Sequence, residues 1–149
     1  MITRKGIFLA SILIMLWAVS AHAIVGSGCE QNQKTFASIH NTTGFITRVT
    51  VTPYSCQGTV IDFAPGEAKT IELGYCGLRS IAAQVPQDYA LGLDRDLQAR
   101  YEVGYDNMQD KCGPTGPWEI VAQEPKDEQD SWKIEIIKKR NRDKRMTYF

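Results

Sequence analysis

The chain has 149 residues, 43% hydrophobic and 23% charged, with 17 Lys and Arg, 17 Asp and Glu, and two histidines. That length fits one domain that can bury a true core without metals, and two histidines are too few for a zinc site with three imidazole ligands. The net charge of zero hides a split. Residues 138–149 (KKRNRDKRMTYF) hold six bases and one acid, and residues 24–137 hold nine bases and 16 acids.

In chain order, residues 1–23 read as a cleavable export signal. Arg4 and Lys5 give a positive start, an apolar run from Ile7 to Val19 follows, and Ala21 and Ala23 stand where a signal peptidase reads small residues. The run falls short of the roughly 20 apolar residues a membrane span needs, so no stable span is expected. Lipid attachment at Cys29 would leave an odd three cysteines, but Gly26 stands where a lipoprotein signal carries a branched apolar residue. Cleavage after Ala23 therefore leaves residues 24–137 as a single domain and 138–149 as a basic tail, in a periplasmic or secreted protein.

Through the domain, apolar residues recur with the period of two that marks strands. Residues 45–53 (FITRVTVTP) set Thr47, Val49 and Val51 against Arg48, Thr50 and Thr52. Residues 59–63 (TVIDF) follow, then a Pro65-Gly66 turn. Residues 69–75 place Ile71, Leu73 and Tyr75 on one face, and residues 78–85 do the same with Ile81, Ala83 and Val85. Residues 86–99 lapse into a loop or one helical turn. Alternation returns at 100–105, with Tyr101, Val103 and Tyr105 inward, then at 118–123 and 132–137. Seven short strands without a sustained helical period predict an antiparallel β-sandwich, with a small closed β-barrel as the alternative.

Four cysteines in an exported domain predict two disulfides. Cys56 and Cys76 each follow a strand, with one short returning strand between them. They emerge at the same end of the meander, which favours Cys56–Cys76 and leaves Cys29–Cys112.

Catalytic chemistry is hard to assemble from these residues. His40 is the one histidine left after the signal, and its setting, SIHNTTG, reads as a solvated turn. Paired cysteines leave no thiolate. Asp94 and Asp96, and Asp106 and Asp110, offer oxygen ligands, but the spaced acids, glycine and final Glu of an EF-hand are missing. No metal and no cofactor is expected. Asn41-Thr42-Thr43 matches the N-glycosylation acceptor.

What remains is binding. The expectation is an exported non-catalytic protein that recognises a protein partner, of inhibitor or immunity type, with the acidic domain steering a basic partner toward it. Loop position and charge nominate Tyr89, Asp94, Arg95 and Asp96, with Lys138, Lys139 and Arg140 in the tail. The tail reads as able to touch an anionic surface. Nucleic acid is not expected, because the domain is acidic and has no interleaved aromatic platform. A carbohydrate-binding module, stacking sugars on Tyr89, Tyr101, Trp118 or Trp132, is the alternative, and a small carboxylate-dependent hydrolase is a further one.

Overall fold

A computed structural model describes residues 29–30, 32–89 and 92–139. The signal segment and the tail from Arg140 onward lie outside the described residues. Eight strands form: β1 Phe36–Asn41, β2 Thr47–Pro53, β3 Thr59–Phe63, β4 Ala68–Glu72, β5 Leu78–Val85, β6 Leu97–Glu102, β7 Pro114–Gln123 and β8 Lys133–Lys138. One sheet has the order β4-β1-β7-β8 and the other β3-β2-β5-β6. They stack face to face as a β-sandwich and do not close into a barrel. All pairings are antiparallel except β1 with β7.

The alternation seen in the sequence is the alternation of the pleat. Val49, Val51, Ile81, Ala83 and Val85 from one sheet meet Ile39, Trp118 and Ile120 from the other in a common core. β1 was not expected. Its inward residues are Ala37, Ile39 and Asn41, and its outward ones Phe36, Ser38 and His40, so its hydrophobic signal is thin. It is nonetheless central in its sheet. His40 accordingly lies on a strand, not in a turn.

Asn41 explains how a polar residue can point inward there. The fully buried carboxamide donates to the carbonyls of Phe45 (2.8 Å), Ala64 (3.0 Å) and Phe63 (3.3 Å). Its Oδ1 accepts from the Thr43 hydroxyl (2.7 Å), the Thr43 N–H (3.2 Å) and the Thr47 hydroxyl (3.4 Å). Both chain crossings between the sheets at this end, 42–46 and 64–67, are thereby tied to one side chain. The glycosylation motif at Asn41 is structural, because its amide has no room for a glycan in the fold.

Other boundaries shift. Tyr75 and Tyr105, read as inward, lie beyond the ends of β4 and β6 and are exposed. Gly74 at φ 63° breaks the alternation before Tyr75; only residues tolerant of the left-handed region sit there without strain. Residues 87–89 form a 3₁₀ turn and α1, Met108–Lys111, precedes β7. Lys138 belongs to β8, and the Lys139 N–H donates to the Pro117 carbonyl at 2.9 Å, so the tail begins inside the sheet.

Both disulfides form as expected, Cys29–Cys112 and Cys56–Cys76, at Cα separations of 5.6 and 6.2 Å. Cys29 is thus a disulfide partner of Cys112. Their sequence separations of 83 and 20 residues correspond to about 4.5 and about 3.3 kcal/mol on the chain-entropy model.

Two stability outcomes follow. Asn41→Ala orphans the carbonyls of Phe45, Phe63 and Ala64 and is expected to cost about 3 kcal/mol, lowering Tm by roughly 10 °C; an unchanged melt would remove Asn41 as a tie. In urea titrations, Cys29→Ser/Cys112→Ser should lose more stability than Cys56→Ser/Cys76→Ser, by roughly 1 kcal/mol. The reverse order would show that loop closure does not set the contribution.

Candidate binding surfaces

Strand directions sort every connection to one of two ends. Residues 42–46, 64–67, 86–96 and 124–132 share one end, and residues 29–35, 54–58, 73–77 and 103–113 share the other, with both disulfides. The chain leaves β8 toward the disulfide end. The two ends differ sharply in charge.

At the first end, the connections hold one acid in 64–67, three in 86–96 and four in 124–132, against only Arg95 and Lys126. Some of these carboxylates build the loops. Asp96 closes 86–96 by accepting from the Gln87 N–H (2.8 Å) and the Gln84 amide (2.9 Å). Leu93, only 8% exposed, anchors the loop in the core. Asp127 accepts from the N–H groups of Gln129 and Asp130, both at 3.0 Å. Asp130 meets the Lys133 ammonium at 2.8 Å and the Ser131 N–H at 2.9 Å. These contacts, Lys133 foremost, hold the Asp130 carboxyl below its ordinary pKa. Glu67 is likewise lowered, first by the Ala64 N–H and then by Lys69.

The remaining acids are free to act outward. Asp88, Asp94, Glu124 and Glu128 are exposed and make no hydrogen bond or ion pair among the described residues. Arg95 donates to the Ser131 hydroxyl at 2.6 Å, tying 86–96 to 124–132. Beneath that junction, Phe45 and Trp132 pack edge to face at 5.2 Å. The loops therefore present one fixed acidic surface.

Tyr89 sits at its margin, on the outer face of the β3-β2-β5-β6 sheet. Its hydroxyl accepts from Arg48 at 2.8 Å, and the guanidinium lies 5.6 Å from its ring centroid. Arg48 also binds Asp62 at 3.0 Å, and that carboxylate is the main reason its pKa is raised. Cross-strand register aligns Asp62, Arg48, Gln84 and Gln98 in a row. Thr50 and Ala82 floor a shallow depression of about 370 Å³ beside it.

The nominated residues thus do not form one site. Tyr89, Asp94, Arg95 and Asp96 converge at the acidic end. Lys138 and Lys139 lie toward the disulfide end, where they meet Asp110 and Glu119 respectively. Arg140 lies outside the described residues. Among the four aromatic candidates for sugar stacking, Trp118 is fully buried, Tyr101 packs on it at 4.8 Å, and Trp132 is engaged by Phe45. Tyr89 alone of the four is exposed.

His40 faces outward beside Ser38, and β7 brings Glu119 into register with it. Ser38 shares its hydroxyl with Thr70 at 3.0 Å and Glu119 accepts from Lys139 at 2.9 Å. Neither bonds the imidazole, so no relay is assembled. No group of three or more His, Cys, Asp or Glu among the described residues is placed to hold a metal ion.

Sequence reasoning passed over Lys111 and the aromatic rings around it. Lys111 is 1% exposed, with its ammonium 3.8 Å from the Tyr105 ring centroid and 5.7 Å from that of Tyr54. Its stem crosses Gly77: a Cβ there would stand 2.6 Å from Lys111 Cγ and 3.0 Å from Cys29 Sγ. The Tyr54 hydroxyl is fixed on the Val103 carbonyl at 2.8 Å. A lysine within DKCGP carries no sequence signal of burial, since lysines are rarely inside.

The lowered carboxyls give a pH signature. Their loop contacts are fully present above the ordinary carboxylate range near pH 4 and are lost as pH falls through the depressed folded values. In a carbon-detected NMR titration, Asp130 and Glu67 should titrate below free-peptide references; ordinary midpoints would mean that these loops are not held by their carboxylates.

No protein-family model, no curated protein and no solved structure matches this chain.

Proposed function

We propose that the protein is an exported binding module that recognises a basic protein partner, as an inhibitor or immunity-type protein does, in the periplasm or outside the cell. The observation that carries the reading is the acidic end. Four unpaired carboxylates stand on two loops that Asp96, Asp130 and the Arg95–Ser131 bond fix in place. A fixed surface loses little conformational freedom on binding, and its field accelerates encounter with a cationic partner. The disulfides fit an oxidising compartment. Asp96 acts in this reading by shaping its loop, and Asp94 by meeting the partner.

The test starts from affinity capture of exported proteins on the immobilised oxidised domain, followed by titration calorimetry with the purified captured protein. The partner should be basic, and Kd should weaken steeply between 50 and 300 mM salt (about a twofold fall in Debye length). Asp94→Lys with Glu128→Lys should weaken binding about tenfold or more, close to 1.4 kcal/mol. An acidic partner, or an affinity indifferent to salt and to both reversals, would contradict the reading.

A further inference from the structure

We propose that a cavity at the disulfide end binds a neutral saccharide, on a surface separate from the acidic loops. The cavity holds about 650 Å³, within the roughly 300–1,000 Å³ of small-ligand sites. Tyr101 of β6, Gly116 of β7 and Lys138 of β8 wall it, and Asn107, Gln109 and Asp110 close it from α1 and the turn before.

The polar side chains at its base are fixed in place. The Asp110 side chain is only 9% exposed, and its carboxylate accepts from the Lys138 ammonium and from the Asn107 amide, the latter at 3.0 Å. Asn107 Oδ1 accepts in turn from the Asp110 N–H at 3.3 Å. The Cys29–Cys112 bridge and the buried Lys111 hold α1, so these groups are placed before any ligand arrives. On β7, Gly116 and Pro117 together stand against Ser38 in the β1 register, a β-bulge that bends the strand at the cavity.

Charge selects the ligand class. Lys139, which also lines the cavity, meets Glu119 at 2.9 Å, so both ammoniums are matched by carboxylates. An anion would face the Asp110 carboxylate, and a cation would face Lys138 and Lys139. An apolar ligand would strip water from the ion pair without replacing its hydrogen bonds. A peptide needs pockets for its side chains, and the Tyr101 ring is the one broad apolar surface among the lining residues.

A sugar matches what is left open. Lys138 and Lys139 keep further N–H donors, and the Asp110 oxygens keep lone pairs. The Tyr101 hydroxyl and the Gln109 carboxamide make no hydrogen bond among the described residues. Each sugar hydroxyl donates one hydrogen bond and accepts others, so neighbouring hydroxyls bridge such mixed groups. Bonds to the charged partners are the stronger ones. The Tyr101 ring, packed on Trp118 at 4.8 Å, offers an apolar wall to the C–H face of the sugar.

The experiment is an amide NMR titration of the oxidised mature protein with methyl glucoside, cellobiose, maltose, lactose and chitobiose. Glucosamine and glucuronate serve as charged counterparts. Saturable shifts are expected with a neutral sugar at residues 101, 107–111 and 116. Tyr101→Phe with Gln109→Ala removes two groups that bond nothing in the fold, so Tm should hold while binding weakens about tenfold. Asp94→Lys with Glu128→Lys, at the acidic end, should leave sugar binding intact and so separates this site from the protein partner's. No saturable shift at these residues with any neutral sugar would overturn the proposal. So would full affinity in the Tyr101 and Gln109 variant, or tighter binding of glucosamine or glucuronate than of any neutral sugar.

Discussion

The fold depends on how one buried carboxamide is satisfied. Asn41 ends one of the two central strands of its sheet and points into the core, where an unpaired amide would cost several kcal/mol. It bonds instead to both chain crossings at that end, using carbonyls from Phe45, Phe63 and Ala64 and hydroxyls from Thr43 and Thr47. A satisfied polar network of this kind rigidifies and specifies the packing around it. The opposite end is closed by other means: two disulfides and a lysine stem laid across Gly77. With both ends pinned, the crossings between the sheets are held in place.

That rigidity gives meaning to the charge distribution. The antiparallel course of the strands deals acidic connections to one end and aromatic, nearly neutral ones to the other. β8 runs toward the second end and closes with Lys138. Charge separation along the long axis of the sandwich is thus a consequence of topology. The acidic carboxylates divide into two kinds: Asp96, Asp127 and Asp130 spend their oxygens on backbone N–H groups, whereas Asp88, Asp94, Glu124 and Glu128 keep theirs for solvent or a partner.

Much of this was legible in the sequence, and the failures have specific causes. Strands β2 and β5 were readable because β-branched residues mark one face in a strict alternation, and the disulfide pairing was readable from where that alternation stops. β1 was missed because its inward set is Ala, Ile and Asn, and the value of Asn41 depends on carbonyls more than 20 residues away. Tyr75 and Tyr105 were misplaced because alternation was extended past the ends of β4 and β6, where Gly74 turns into the left-handed region before Tyr75. At the candidate surface, net charge and loop position brought out Tyr89, Asp94, Arg95 and Asp96. They could not say that Asp96 faces its own loop, or that Lys138 and Lys139 belong to the other end. Lys111 was invisible because its burial rests on Tyr54, Tyr105 and Gly77, brought together only by the fold.

The central claim is that the partner is met by the acidic end. Hydrogen–deuterium exchange on the domain, free and saturated with its captured partner, tests it most directly. Protection confined to residues 86–96 and 124–132, with the strands and the 54–58 and 103–113 connections unchanged, is the result this account predicts. Protection centred on the disulfide end, or on the outer face around Thr50 and Ala82, would contradict it.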